Sequence, residues 1–263
     1  MKNKIIRLLF LVPSLAFLCS YPKNVKAQNS SNNQKIAGII DITNTSLQKE
    51  LSKELYCCKG YITASNLNVR LLPDSNSEIQ DKLPFNAEID YIDYDDEWAM
   101  VQYNSSNYFI SKKYISDSQI SSQIYSTPYN HIKSYMPFQA ITSKISDQYK
   151  LQQIAYTGQY GIRQVNGRYC IAVGSAYTTI IGQYIDLVLD DGTIIPCVLG
   201  DCKADKDTNS SNTLTNDGSL AEFIVDIPSL SRTVTYTGDI STATEDWESM
   251  ITSIIVYDKV EEL

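Results

Sequence analysis

The stretch from Tyr160 to Gly174, YGIRQVNGRYCIAVG, limits the fold most strongly. Asn166 and Gly167 separate two runs that mix β-branched, aromatic and apolar residues. A two-residue hairpin loop needs positive φ at both central positions, and Asn-Gly meets that need at little steric cost. The stretch is therefore predicted to be an antiparallel hairpin. A second hairpin is expected in YIDLVLDDGTIIPCVLG, around Asp191 and Gly192. Pro196 has no backbone donor, which places it at an edge or a bulge. LAEFIVD and SIIVYDK supply further strands, and residues 202–219 form a long polar loop. This inventory, about six strands, predicts a small closed barrel over residues 149–263.

Residues 60–116 show the same grain on a finer scale. YITASNLNVRLLP, AEIDYI, EWAMVQY and NYFISKKYI are short runs parted by polar turns, so a separate all-β module is expected. The composition agrees, with 19 tyrosines against 11 glycines and many Ile, Asn, Ser and Thr. Residues 117–148, with Pro128, read as a linker. Residues 28–59 read as a polar spacer and one short helix. In that helix Leu47, Leu51 and Leu55 form a stripe, Thr45 and Gln48 resemble a capping box, and Gly60 supplies the stop.

Residues 1–27 carry the marks of an export signal: Lys2, Lys4 and Arg7, an apolar run from Leu8 to Leu18, and Val25-Lys26-Ala27 before a cut. The run is too short for an ordinary membrane span, although retention as an N-terminal anchor is the alternative. Cleavage would remove five basic side chains and no acidic one, taking the net charge from −8 to −13. A chain that acidic is unsuited to nucleic acid or to an anionic membrane. Cleavage would leave Cys57, Cys58, Cys170, Cys197 and Cys202, an odd number, so mostly free thiols or a single bridge are expected. Cys170 and Cys197 read as small buried apolar residues.

The module at 60–116 resembles the bacterial SH3 (SH3b) family. Thr63, Ala64, Leu67, Asn68, Val69, Arg70 and Pro73 carry its opening motif, Trp98, Val101 and Tyr103 its middle strand, and Tyr108, Ile110, Tyr114 and Ile115 its close. The resemblance implies a wall- or peptide-binding module, with Trp98 as a binding candidate. Such modules accompany wall hydrolases, yet the usual hydrolase chemistries lack their residues here. Zinc sites of that kind need at least two nitrogen ligands, and the chain has a single histidine, His131. No histidine follows Cys170, Cys197 or Cys202, so a papain-like pair has no base, and a serine triad lacks one too.

Carboxylates are left. Asp205 to Asn209, DKDTN, imitates an EF-hand start, but Ser210 takes the glycine position and Asn216 the place of the bidentate glutamate. The simpler reading of Asp205 and Asp207 is a solvated acidic loop. Asp201 follows Ile194, Ile195, Val198 and Leu199, with Gly200 as a hinge. A carboxylate at a strand end against apolar walls is a candidate general acid.

IAVGSAYTTIIGQYIDLVLDDGTIIPCVLGD and AEFIVD resemble the double-psi β-barrel group that includes three-aspartate (3D) domains and the barrel of lytic transglycosylases. The full expectation is thus a mainly β chain, with a small SH3-like barrel followed by a six-stranded double-psi β-barrel and one short N-terminal helix. In the transglycosylase relatives a strand-ending Asp is the single acid/base that cleaves peptidoglycan. Asp201 matches that position. The Asp-Thr pair of the motif reappears at Asp207-Thr208, so Asp201 and Asp207 both remain catalytic candidates. Asp205, Asp226, Tyr177 and Tyr184 are candidates for holding substrate, and Glu222 for supporting it. No metal and no cofactor are called for. The expected protein is secreted or wall-associated, with peptidoglycan or another wall polymer as partner. It either cleaves glycan strands or only binds them.

Overall fold

The computed structural model describes residues 58–103, 106–130 and 132–263. The expected signal, spacer and N-terminal helix, together with Cys57 and His131, lie outside the described residues. The chain is mainly β, 47% strand against 18% helical, and its strands form two sheets, neither of which closes into a barrel. It falls into two compact units. The smaller holds 68–81 and 89–113 with the described residues up to Gly60, and the larger holds 61–67, 82–88 and 114–263.

The first sheet has seven strands: β1 (Cys58–Ile62), β2 (Asn66–Arg70), β3 (Ile79–Pro84), β4 (Glu88–Asp93), β5 (Trp98–Tyr103), β6 (Ser106–Ser111) and β7 (Ile115–Ser116). Their order is β3-β2-β6-β5-β4-β1-β7. In β2, Leu67 and Val69 are buried while Asn66, Asn68 and Arg70 are not, the period of two that a sheet with one covered face imposes. The β4–β5 turn is held by Asp95, whose Oδ1 accepts from the backbone of Glu97 (2.8 Å) and Trp98 (2.7 Å).

The second sheet has nine strands: β8 (Ser122–Asn130), β9 (Lys133–Pro137), β10 (Tyr156–Thr157), β11 (Arg163–Val165), β12 (Arg168–Gly174), β13 (Gln183–Leu189), β14 (Ile194–Lys203), β15 (Ala221–Val225) and β16 (Ile251–Val260). The main path is β10-β11-β12-β14-β13-β16-β8, and β15 branches from β12 and pairs with β9. The second sheet therefore has nine strands where six were expected in residues 149–263, and seven of the nine, β10 to β16, lie in that range. Part of the difference is that β8 and β9 occupy residues read from sequence as linker. β8 (SQIYSTPYN) is polar and contains Pro128, which suits an outer strand with one neighbour.

The Asn166-Gly167 hairpin forms as expected. Both residues have positive φ (50° and 79°), and Val165 pairs directly with Arg168. The Asp191-Gly192 hairpin joins β13 to β14, with Gly192 at φ 88°. Pro196 stands opposite Asp186, one position before β14 takes up β12 as a second neighbour.

Both faces of the sheet's centre are covered, so neighbouring residues enter different apolar clusters. Ile171, Leu199, Cys197 and Phe223 go to one. Cys170, Val198 and Ile224 go to the other, together with Leu151 of helix α1 (Asp147–Ile154). Ser146 caps α1, its side chain accepting from the backbone of Tyr149 at 3.2 Å. Helix α2 (Arg232–Thr237) starts at a Ser231 cap and stops at Gly238, whose φ is 71°. No helix among the described residues is long and apolar enough to cross a membrane.

Two cations are wholly buried in the larger unit. Arg168 forms an ion pair with Asp186 and donates to the carbonyls of Cys197 (2.7 Å) and Ile185 (3.0 Å), while Tyr257 Oη donates to Asp186 at 2.9 Å. Lys133 Nζ donates to the carbonyls of Trp247 (2.8 Å) and Ser249 (2.9 Å), and burial lowers its pKa. Hydrogen bonding on this scale is what makes a buried charge tolerable.

Candidate functional site

The register of β14 decides where Asp201 points. Ile171 pairs with Leu199, but the next residue, Ala172, pairs with Asp201, so Gly200 is an extra residue, a β-bulge. Strict alternation would send residue 201 to the side of Cys197 and Leu199, into the larger apolar cluster. The bulge reverses the phase. Asp201 shares the face of Ala172 and Cys170, where α1 packs, and it is half-buried there. The bulge needs glycine for space as well, since a Cβ at Gly200 would lie 2.5 Å from Ile224 Cδ1 and 3.2 Å from Cys170 Cβ.

The Asp201 carboxylate accepts from the backbone N–H of Cys202 at 2.9 Å and, at a long 3.4 Å, from Gln148 Nε2 of α1. Lys203, in phase with Asp201, pairs instead with Glu222 of β15. Glu222 is itself opposite Ala172, so Asp201 and Glu222 flank that alanine across three strands. Burial lowers the Lys203 pKa, while the charges of Asp201, Asp217 and Asp207 act in the opposite direction. Sequence separation hid this grouping of Gln148, Asp201, Lys203 and Glu222, which depends on the parallel β12–β14 pairing.

Against α1 lies an open groove of about 300 Å³, lined by Phe138, Gln139, Thr142, Tyr149, Gln152 and Gln153. Arg163 of β11 fixes its wall. Its Nη2 donates to the Gln152 carbonyl (2.9 Å), its Nε to Gln152 Oε1 (3.2 Å), and its guanidinium lies 4.5 Å over the Phe138 ring. Two aromatic rings and several amides at an open surface suit a hydroxyl-rich ligand. Gln148 belongs to the same helix as Tyr149, Gln152 and Gln153 and connects Asp201 to it, although Asp201 does not line the groove.

The other sequence candidates have different fates. Asp205 is exposed and accepts from Ser175 Oγ at 2.6 Å. Asp207 is exposed, and its backbone carbonyl accepts from Asn216 N at 3.0 Å. Neither projects from β14; both lie on a short 3-10 turn after it. Asp226 accepts from Ser229 Oγ at 2.7 Å, at the start of another such turn. Tyr177 and Tyr184 correct the expectation of sugar stacking. They are only 6% and 3% exposed, Tyr177 in the larger apolar cluster and Tyr184 beneath the Arg168 guanidinium at 4.4 Å, so neither offers a free face. Burial raises both hydroxyls to about 12. Trp98 is half-buried in β5 of the smaller unit, opposite Ser111.

Cys170, Cys197 and Cys202 are free thiols, with Cys170 and Cys197 buried. Burial pushes the Cys170 thiol up to about 12, which removes it as a nucleophile near neutrality. Among the described residues no group of three or more His, Cys, Asp and Glu is placed to hold a metal ion. Comparison with protein-family models finds no match to the chain, and neither does comparison with curated proteins.

Proposed function

We propose that this is a wall-associated glycan-binding protein, in which residues 117–263 hold glycan strands and residues 60–116 form an SH3b-type targeting module. The observation that carries the reading is the bulge at Gly200, which turns Asp201 out of the core and toward the helix that walls an aromatic and amide-lined groove. Both hydrogen-bond partners of Asp201 are donors, so its carboxylate works as an acceptor, the role a sugar hydroxyl needs. Two parallel strand pairs, β12 with β14 and β9 with β15, support the double-psi resemblance, because that arrangement joins parallel strands that are not consecutive in the chain.

The second reading is cleavage of peptidoglycan glycan strands, with Asp201 as acid/base. It is favoured by the Lys203–Glu222 pair, which takes up the nearest lysine and leaves Asp201 outside any ion pair among the described residues. One experiment separates the two. The secreted chain is incubated with insoluble purified wall, and pellet and supernatant are analysed by mass spectrometry. Retention in the pellet with no soluble fragments, weakened in Asp201→Asn, is the expected result. Anhydro-muramyl products that disappear in Asp201→Asn overturn it in favour of cleavage. Absence of both retention and soluble products removes both readings.

A further inference from the structure

A second groove, of about 440 Å³, opens on the larger unit and is lined by Gln159, Tyr160, Gln164, Tyr169, Asp246 and Trp247. β11 separates its surroundings from those of the α1 groove. Arg163 reaches α1, and the next residue, Gln164, points the other way, as alternation along a strand requires.

Trp247, only 6% exposed, is the floor, stacked on Phe223 with centroids 5.6 Å apart. Tyr160 and Tyr169 stand edge-on to it, with centroids at 5.3 and 5.0 Å, and both remain half-exposed. Tyr160 has φ 62° and ψ 13°, the left-handed region. A bulky side chain there costs on the order of 1–2 kcal/mol, and such residues gather at ligand clamps. Glycine follows at position 161 with φ 76°, so two consecutive residues take the left-handed region and only the second is glycine.

The polar groups are unspent. Gln164 is 7% exposed and uses Oε1 to accept from Tyr156 Oη at 3.0 Å, while its amide nitrogen donates to no described residue. The Asp246 carboxylate is exposed and takes part in no hydrogen bond or ion pair among the described residues. Gln159 Nε2 donates to Tyr160 Oη at 3.1 Å, leaving the phenol proton available.

We infer that this groove is a saccharide subsite for an uncharged sugar unit, which would lie against the Tyr160 and Tyr169 rings with its hydroxyls between the Gln164 amide and the Asp246 carboxylate. Ring faces take the apolar C–H side of a sugar, and a donor and an acceptor fix its hydroxyls. The negative charge of Asp246 and of the chain as a whole selects against anionic sugars. The site is separate from the one assigned to wall binding and does not require Asp201.

The test is titration of the full chain with tri-N-acetylchitotriose, read by calorimetry and by tryptophan fluorescence. Saturable binding is expected. Asp246→Ala, at an exposed position, should weaken it at least tenfold. Tyr160→Gly should weaken it by a similar factor while lowering the melting temperature little, because relief of the left-handed backbone offsets the lost contact with Trp247. Tyr236→Ser, at an exposed position of α2 that lines neither groove, should bind the trisaccharide as the unaltered chain does. No saturable binding by the unaltered chain, or binding unchanged in both Asp246→Ala and Tyr160→Gly, overturns the proposal. A large loss of melting temperature in Tyr160→Gly with binding intact in Asp246→Ala also overturns it and makes the tyrosine a packing residue. Failed retention on wall alongside intact trisaccharide binding removes the α1-site reading and leaves this one standing.

Discussion

The Gly200–Asp201 bulge and the loop from Asp205 to Ser219 lie within a few residues of each other and contain similar side chains, but they use them in opposite ways. The loop spends many of its polar groups on itself, while Asp205 accepts from Ser175 outside it. Asn209 Oδ1 accepts from the backbone of Thr213 (2.9 Å) and Leu214 (3.3 Å). Asp217 accepts from Thr215 Oγ1 and from Ser219 N, the latter at 3.0 Å. The loop's tip comes down onto Gly174, where any Cβ would meet the Asn212 carbonyl oxygen. Asp201 instead belongs to a strand whose ladder satisfies the backbone, so its side chain has capacity left for something outside. An acidic residue's surroundings, more than its identity, decide whether it closes a turn or faces a ligand.

The largest effect should come from removing the bulge's space. Gly200→Ala places a Cβ against Ile224 and Cys170, both fully buried, and overpacking of this kind costs about 1–3 kcal/mol. Urea denaturation should show that loss, and wall retention should fall with it. If stability and retention both survive, the bulge does not aim Asp201.

Next is Asp217→Ala, which strips the loop of an acceptor and should cost about 1 kcal/mol. Burial opposes the Asp217 charge, but hydrogen bonds from Thr215 and Ser219 outweigh it and hold the carboxyl below its ordinary range. A depressed folded-state pKa stabilises above the unfolded value and is lost as pH falls through the folded one. The gap between Asp217→Ala and the unaltered chain should therefore shrink below about pH 4, where an ordinary aspartate begins to protonate. Wall retention at neutral pH should not change, in contrast to Gly200→Ala.

Asp201→Asn should move stability by no more than about 0.5 kcal/mol, the usual range at a position outside the core, and yet weaken retention. A large drop in melting temperature would make Asp201 structural, like its neighbours in the loop. The smallest effect expected is that of calcium. At millimolar concentration it should leave the melting temperature within about 1 °C, because a ligand that does not favour the folded state cannot shift it. A larger rise, reversed by chelator, would show that the loop's oxygens gather round the ion.

The hairpin at Asn166-Gly167 was legible because two adjacent residues specify it. The strands around Leu67 and Val69, and those from Ala221 and Ile251, were legible through alternation or apolar runs. The bulge was only half legible. Gly200 stood out, but the phase of Asp201 depends on which residue of β12 it faces, and pairing across 29 residues leaves no local trace. β8 and β9 escaped because a polar strand beside Pro128 has the composition of a connection. Tyr177 and Tyr184 were misplaced because tyrosine suits a core and a sugar site equally, and only their neighbours decide. The groove at Tyr160 gave no signal, since its walls come from segments about 85 residues apart whose meeting requires the assembled sheet.

The partners of β8 and β9 carry a final implication. Among the described residues β8 pairs as a strand only with β16 and β9 only with β15, so the first strands of the second sheet find their neighbours among its last. During synthesis those early strands wait, unmatched, until nearly the whole polypeptide has emerged. Pairings this distant slow folding, so the chain stays threadable for longer than a hairpin-by-hairpin sheet would. Shortening it before Ile251 would deprive β8 and β13 of the strand between them, so the sheet would lose β8 together with β16 and end at β13.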